Sequence, residues 1–220
     1  MFDLERFVAD CQTAHAADPS HKAVREVLAR ALEEPRSVLK GLGEPARAQI
    51  GTLHRSDTLT ILNVIWGPRM TIPPHNHHMW AVIGIYTGRE DNTFFRRDGQ
   101  GLKRHGTKEL VTRDTIPLGK DIIHAVTNPL DQITAALHVY GGDFFAARRS
   151  EWNPGTLEEL PFDMAATIRA FEESNSRLPA NKGVNGYSLP ATHYPLPITA
   201  FPSACPPRWR RGSTWRPRPG

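Results

Sequence analysis

Three imidazoles stand out by their spacing: His75 and His77 form a His-x-His pair, and His124 follows 47 residues later. Imidazole nitrogen suits iron, zinc, copper and nickel, and a set of only three protein ligands leaves positions open for an exogenous group. In Pro73-Pro74-His75-Asn76-His77 the prolines favour extended backbone, because a residue before proline avoids the helical region. Alternate residues of a strand project to one face, so both rings of the pair can aim at one point. His124 lies in Asp121-Ile122-Ile123-His124-Ala125-Val126-Thr127, a β-branched run in which Ile122, His124 and Val126 share a face. Two strand-borne sources of imidazole could therefore converge inside a small barrel. Neutral ligands leave the full charge of a divalent ion in place, which favours an anionic substrate. His78, adjoining His77, should face the opposite way, and His105 falls in a polar, Gly-containing turn and should be exposed.

The elements that must hold these rings are short strands. The sequence predicts strands over 58–66, 80–86, 92–97, 108–112, 122–127 and 133–140, punctuated by turns such as Thr87-Gly88 and Asp98-Gly99. Short strands at this spacing imply a closed sandwich or barrel. Met79, Trp80 and Tyr86 read as its lining. Ahead of the barrel, residues 3–15 and 18–34 read as helices. In the second, Asp18 is the expected cap, Pro19 suits the first helical position, Val24, Val27, Leu28, Ala31 and Leu32 follow the helical period, and Pro35 is the expected stop. Residues 36–57 read as a helical turn and loop punctuated by Gly41, Gly43 and Pro45. Residues 156–174 include a helix with Met164, Ile168 and Phe171 on one stripe.

At 220 residues the chain has room for one domain with a substantial core. The expected organisation is an N-terminal helical segment over 1–57, a barrel over 58–145, a C-terminal helical segment over 146–175, and a Pro/Arg-rich tail over 176–220. The tail holds 7 of the 27 Lys+Arg residues, 9 of the 19 prolines and no Asp or Glu, so the remainder of the chain is mildly acidic although the whole is net +4. Such a composition does not build a packed core. Its interleaved Arg and Trp could meet an anionic surface, but an extended, poorly ordered appendage is the expectation, and nucleic acid is not an expected partner. No apolar run reaches the about 18 residues a membrane span needs. The opening Met1-Phe2-Asp3-Leu4-Glu5-Arg6 lacks a signal-peptide layout, and Cys11 and Cys205 have no redox or metal spacing, so the cytoplasm is the expected compartment.

Around the histidines the chain resembles the cupin superfamily. The likeness covers roughly residues 58–145 and is carried by His75-x-His77, Gly88 and then Pro117-x-Gly119, His124 and Asn128. It implies an all-β fold, a double-stranded β-helix (cupin jelly-roll barrel) with flanking helices. The glutamate ligand of that pattern would fall where this chain has Ala81 and Val82, and Glu90 lies beyond Gly88 and is read as outside the ligand shell, so the site reads as three histidines without a carboxylate.

That departure points to the three-His iron cupins, and the chain looks like the cysteine dioxygenase group of thiol dioxygenases. Leu137-His138-Val139-Tyr140 resembles their Ser-x-His-x-Tyr strand, with Ala136 in place of the serine and Val82 near the position of the cysteine that crosslinks to tyrosine in the animal enzymes; no crosslink is expected here. The resemblance implies Fe(II) on His75, His77 and His124, and a small thiol of the cysteine or 3-mercaptopropionate type oxidised by O2 to its sulfinate. Tyr140 is then the candidate hydrogen-bond donor and His138 the group that orients it, unless the two are an ordinary buried pair. Arg69 is the nearest candidate for a substrate-binding arginine, its alternative being a solvent-exposed loop residue. Another three-His reaction, such as oxidative cleavage of a small diketone, or a cupin that binds metal without catalysis, would use the same residues.

Overall fold

The computed structural model describes residues 1–99 and 101–178; the expected Pro/Arg-rich tail, from 179 onward, lies outside the described residues. Helices α1 (Leu4–Ala17), α2 (His21–Ala31) and α3 (Pro35–Leu42) come first. Eleven strands follow among the described residues: β1 (Gln49–Arg55), β2 (Thr60–Trp66), β3 (Thr71–Asn76), β4 (Ala81–Thr87), β5 (Arg89–Asp98), β6 (Gly101–Val111), β7 (Thr115–Leu118), β8 (Ile123–Thr127), β9 (Thr134–Tyr140), β10 (Ser150–Trp152) and β11 (Glu159–Pro161). Helix α4 (Met164–Ser174) and a 3-10 turn, Asn175–Arg177, complete them.

The strand pairing defines the architecture. β5 pairs with β6, β4 with β7, β3 with β8 and β2 with β9, all antiparallel, so the chain is one long hairpin whose two arms wind together. Winding distributes the arms over two sheets, ordered β1-β2-β9-β4-β7 and β11-β10-β3-β8-β5-β6. This is a double-stranded β-helix, the all-β jelly roll of the cupin type, with helices flanking it.

Strand alternation separates two cores. Leu62, Val64 and Trp66 of β2, Ala81, Ile83 and Ile85 of β4, and Ile72 and Val126 from the opposite sheet form the barrel interior. The intervening residues Ile61, Ile65, Val82, Leu137 and Val139 face outward and pack on Val24, Leu28 and Leu32 of the N-terminal helices. A Cβ at Gly84 would lie 2.5 Å from Leu32 Cδ1, so this glycine lets α2 seat directly on the sheet. α4 lays Phe171 against Trp66, with ring centroids 5.2 Å apart, beside the inner core. None of the described helices is long and apolar enough to cross a membrane.

Several local expectations differ from the structure. Ser20, not Asp18, caps α2; Asp18 instead accepts from the Ser20 backbone N–H at 2.9 Å and from its hydroxyl at 2.8 Å, which places the helix start two residues later. Pro35 begins α3 rather than only ending α2, because a proline at the first helical position sacrifices no hydrogen bond. The loop expected over 36–57 contains β1. Trp80 and Tyr86 are not barrel lining. Trp80 donates its indole N–H to the Pro19 carbonyl at 2.9 Å, and the Tyr86 hydroxyl donates to Asn63 Oδ1 at 2.8 Å, both on the helix-covered side; Met79 does pack against the inner core.

Candidate metal centre

The three histidines meet inside the barrel. β3 and β8 are neighbours and their register sets His75 directly opposite His124; a register irregularity between Ile72 and His75 precedes this pairing, and His77 follows one residue beyond the strand. Ring centroids are 4.7 Å apart for His75 and His124, and 5.0 Å from His77 to each. Their ligand nitrogens all lie within 4.8 Å of one another, and all three side chains are buried. Among the described residues this is the group of side chains that could hold a metal ion; Ala81 and Val82 are buried apolar residues, so no carboxylate joins it from that position.

Hydrogen bonding favours ligation. The Nδ1 of His75 lies 2.9 Å from the Pro73 carbonyl, and the Nδ1 of His124 lies 2.7 Å from Asn92 Oδ1. A carbonyl oxygen can only accept, so each Nδ1 carries the proton and each Nε2 keeps a bare lone pair, the arrangement seen in metal-bound imidazoles. Nε2 of His124 is buried with no hydrogen-bond partner, an orphan that a divalent ion would satisfy. Burial, first of all, pushes the His75 imidazole down to about 4 and holds those of His77 and His124 well below the usual histidine range, so all three are neutral near neutral pH.

Beside the histidines lies a cavity of about 40 Å³, also lined by His138, Tyr140 and Arg149. That is room for roughly three waters, taking about 10–15 Å³ for each. The Tyr140 ring meets His77 edge-on at 5.1 Å, and burial holds its phenol protonated, well above its ordinary range. His138 Nδ1 is 3.0 Å from the Tyr140 hydroxyl, so the two form a bonded pair on the inward face of β9.

Arg69 sits elsewhere. It occupies a turn at φ 55°, forms a two-pronged ion pair with Asp131 at 2.7 Å, and is not among the residues lining the cavity. The loop-surface alternative for Arg69 is the arrangement found. The cavity's arginine is Arg149, which sequence reading passed over. β10 pairs with β3, with Glu151 opposite His75, and Asn76 Oδ1 accepts the Ser150 backbone N–H at 2.9 Å, which fixes Arg149 beside the histidines. Its guanidinium lies between the Phe144 and Phe162 rings, 3.9 Å from each centroid. It is 8% exposed, and its Nη1 has no hydrogen-bond partner. Burial lowers its pKa to about 10, which still leaves it cationic near neutral pH. Nothing in Ala147-Arg148-Arg149-Ser150 distinguishes the buried arginine from its exposed neighbour; only the pairing of β10 with β3 does.

Glu90 and Asn92 were also missed as a pair. They are i and i+2 on β5, both fully buried, and Asn92 Nδ2 donates to Glu90 Oε1 at 2.9 Å. Placing the strand start at Asn92 hid their shared face. His105 is exposed, as expected, although it lies within β6 rather than a turn; His78, expected to face away from His77 on a strand, is exposed just beyond β3 at φ 55°. Of the other motif residues, Asn128 braces turns, donating to the Gly67 and Gln132 carbonyls at 2.8 Å each.

No family model matches the chain. Solved structures similar to it include an RmlC-like cupin family protein with a double-stranded β-helix fold from Methanocaldococcus jannaschii, 12% identical, with a TM-score of 0.39 over 47% of this chain and 88% of that one. A cupin superfamily protein from Desulfitobacterium hafniense is 20% identical, with a TM-score of 0.38 over 48% of this chain and 88% of that one. A cupin 2 conserved barrel domain protein from Salinispora arenicola is 19% identical, with a TM-score of 0.34 over 42% of this chain and 73% of that one. By its own strand pairing and buried residues, this chain is a cupin-type barrel carrying a three-histidine group that could hold a metal ion.

Proposed function

We propose that the protein is an Fe(II)-dependent dioxygenase that oxidises a small thiol bearing a carboxylate, of the cysteine or 3-mercaptopropionate type, to its sulfinate with O2. The observation that carries this reading is Arg149: a buried cation with an unsatisfied donor, lining the same small cavity as three neutral imidazoles. A buried guanidinium without a counter-ion is costly, and a carboxylate is the ligand whose two oxygens match its fork. His75, His77 and His124 would hold the iron, and their neutrality leaves its charge free to attract a thiolate. Bound ferrous iron would supply a coordination site for the thiolate and the activation of O2. The thiolate and both oxygen atoms add up to the sulfinate, so no external reductant is required.

This chain's own residues divide the remaining work. Arg149, wedged between two aromatic rings, holds the carboxylate end. The small cavity limits the site to small ligands. Tyr140 and His138 place one polar hydroxyl at the apolar wall, close to His77. The proposed reactants are a free thiol and O2, and the proposed compartment is the cytoplasm.

Oxygen uptake by iron-loaded protein with 3-mercaptopropionate, cysteine, cysteamine and acetylacetone tests the proposal. Uptake should occur with a carboxylate-bearing thiol and yield one sulfinate per O2. Arg149→Lys should raise KM for that thiol about 10- to 100-fold, the loss expected when a two-pronged charged hydrogen bond becomes single. Turnover of acetylacetone alone, or of no thiol, would overturn it.

A further inference from the structure

The polar side chains behind the site form one buried chain. His124 Nδ1 lies 2.7 Å from Asn92 Oδ1, Asn92 Nδ2 donates to Glu90 Oε1 at 2.9 Å, and His138 Nδ1 lies 3.0 Å from the Tyr140 hydroxyl. The link between the halves is Glu90 Oε2, which faces His138 Nε2 at 3.6 Å. Neither of these two atoms has another partner, and both are sealed from solvent. At 3.6 Å the contact is longer than a hydrogen bond, yet each atom is the complementary group available to the other. Two strands create the juxtaposition: β5 turns Glu90 and Asn92 inward together, and β9 does the same for His138 and Tyr140.

We propose that Glu90 is a positioning residue that sets the tautomer of His138 and thereby decides which way the Tyr140 hydroxyl donates. A carboxylate has only acceptors, so Oε2 draws the imidazole proton to Nε2. Nδ1 is then an acceptor and takes the Tyr140 hydroxyl hydrogen. The Tyr140 oxygen consequently presents lone pairs, not a proton, to the cavity, and is fitted to accept from a substrate donor such as the ammonium of a cysteine-type thiol. This reverses the direction expected from sequence, where Tyr140 is a donor. The other oxygen of Glu90 orients Asn92, whose carbonyl holds the proton of His124 on Nδ1 and leaves Nε2 bare toward its neighbours. Ala136, on the same strand, has no polar side-chain atom to offer His138, and Glu90 meets that imidazole from β5 instead.

The consequence for turnover rests on the oxygenase reading; the tautomer does not. Glu90→Gln is isosteric and makes a sharp test. Its carbonyl keeps the Asn92 bond, so its amide N–H turns toward His138 and drives the imidazole proton to Nδ1. Nitrogen-15 NMR of histidine-labelled protein, metal-free and zinc-loaded, reads the tautomer directly, with the signals assigned by their loss in His138→Asn. The wild type should carry the His138 proton on Nε2, and Glu90→Gln should carry it on Nδ1. A wild-type proton on Nδ1 overturns the proposal whether or not the variant folds, as does an unchanged tautomer in a folded variant. With a turned-over thiol, Glu90→Gln and Tyr140→Phe should each lower kcat about tenfold with iron retained, and the double variant should lose little more than either alone. Fully multiplicative losses would contradict the coupling.

Discussion

At the scale of single residues, the site is governed by burial. His75 is sealed in the barrel, and burial outweighs the help of its bond to the Pro73 carbonyl, so its imidazole resists protonation down to about 4. The unfolded chain takes up that proton near 6.5. Below 6.5 the unfolded state therefore binds more protons than the folded one, and stability is lost as pH falls from about 6.5 through about 4. For His75 alone the loss approaches about 3 kcal/mol at the end of that window, and His77 and His124 shift in the same direction. Urea unfolding of chelator-treated protein should show this decline between pH 7 and 5, and a flat profile there would contradict neutral burial of the three rings. Arg149 obeys the same physics with opposite meaning, since its charge persists despite burial, and under the proposed function that charge holds the substrate carboxylate.

At the scale of elements, turns decide where the chemistry sits. Gly88 joins β4 to β5 at φ +81°, and a Cβ there would lie 2.3 Å from Thr134 Oγ1, the hydroxyl that bonds both the N–H and the carbonyl of Arg89 at 2.9 Å. A side chain at this position carries backbone strain of about 1–3 kcal/mol in addition to the clash. Gly88→Ala should therefore lower the unfolding free energy by about 2 kcal/mol or more in urea titration; wild-type stability would show that the turn relaxes freely. Elements with a strong local pattern were legible. β2, β4, β8 and β9 are rich in apolar and β-branched residues and could be read directly. β7 was hidden because Pro117 interrupts it, which an edge strand tolerates. β10 and β11, three residues each, carry no period, and β1 is a half-exposed edge containing Gly51.

At the scale of the whole molecule, the wound hairpin explains what sequence could and could not convey. His75, His77 and His124 were legible because a His-x-His pair and a lone inward histidine remain recognisable without knowing their register. Arg149 and Glu90 were not, because each reaches the cavity or its backing through pairing of strands remote in sequence, β10 on β3 and β5 beside β8. Arg69, adjacent in sequence to the His-x-His loop, is the nearest arginine candidate on that ground alone, and it pairs with Asp131 on the surface, as its loop alternative has it. The account as a whole stands on a single ion shared by three imidazoles. Metal analysis of protein purified without added ions, for the wild type and for His75→Ala, His77→Ala and His124→Ala, measures that most directly. The wild type should hold close to one iron per chain and each variant should lose it, because two imidazoles retain a divalent ion poorly. A metal-free wild type, or full iron content in a folded His124→Ala protein, would contradict it.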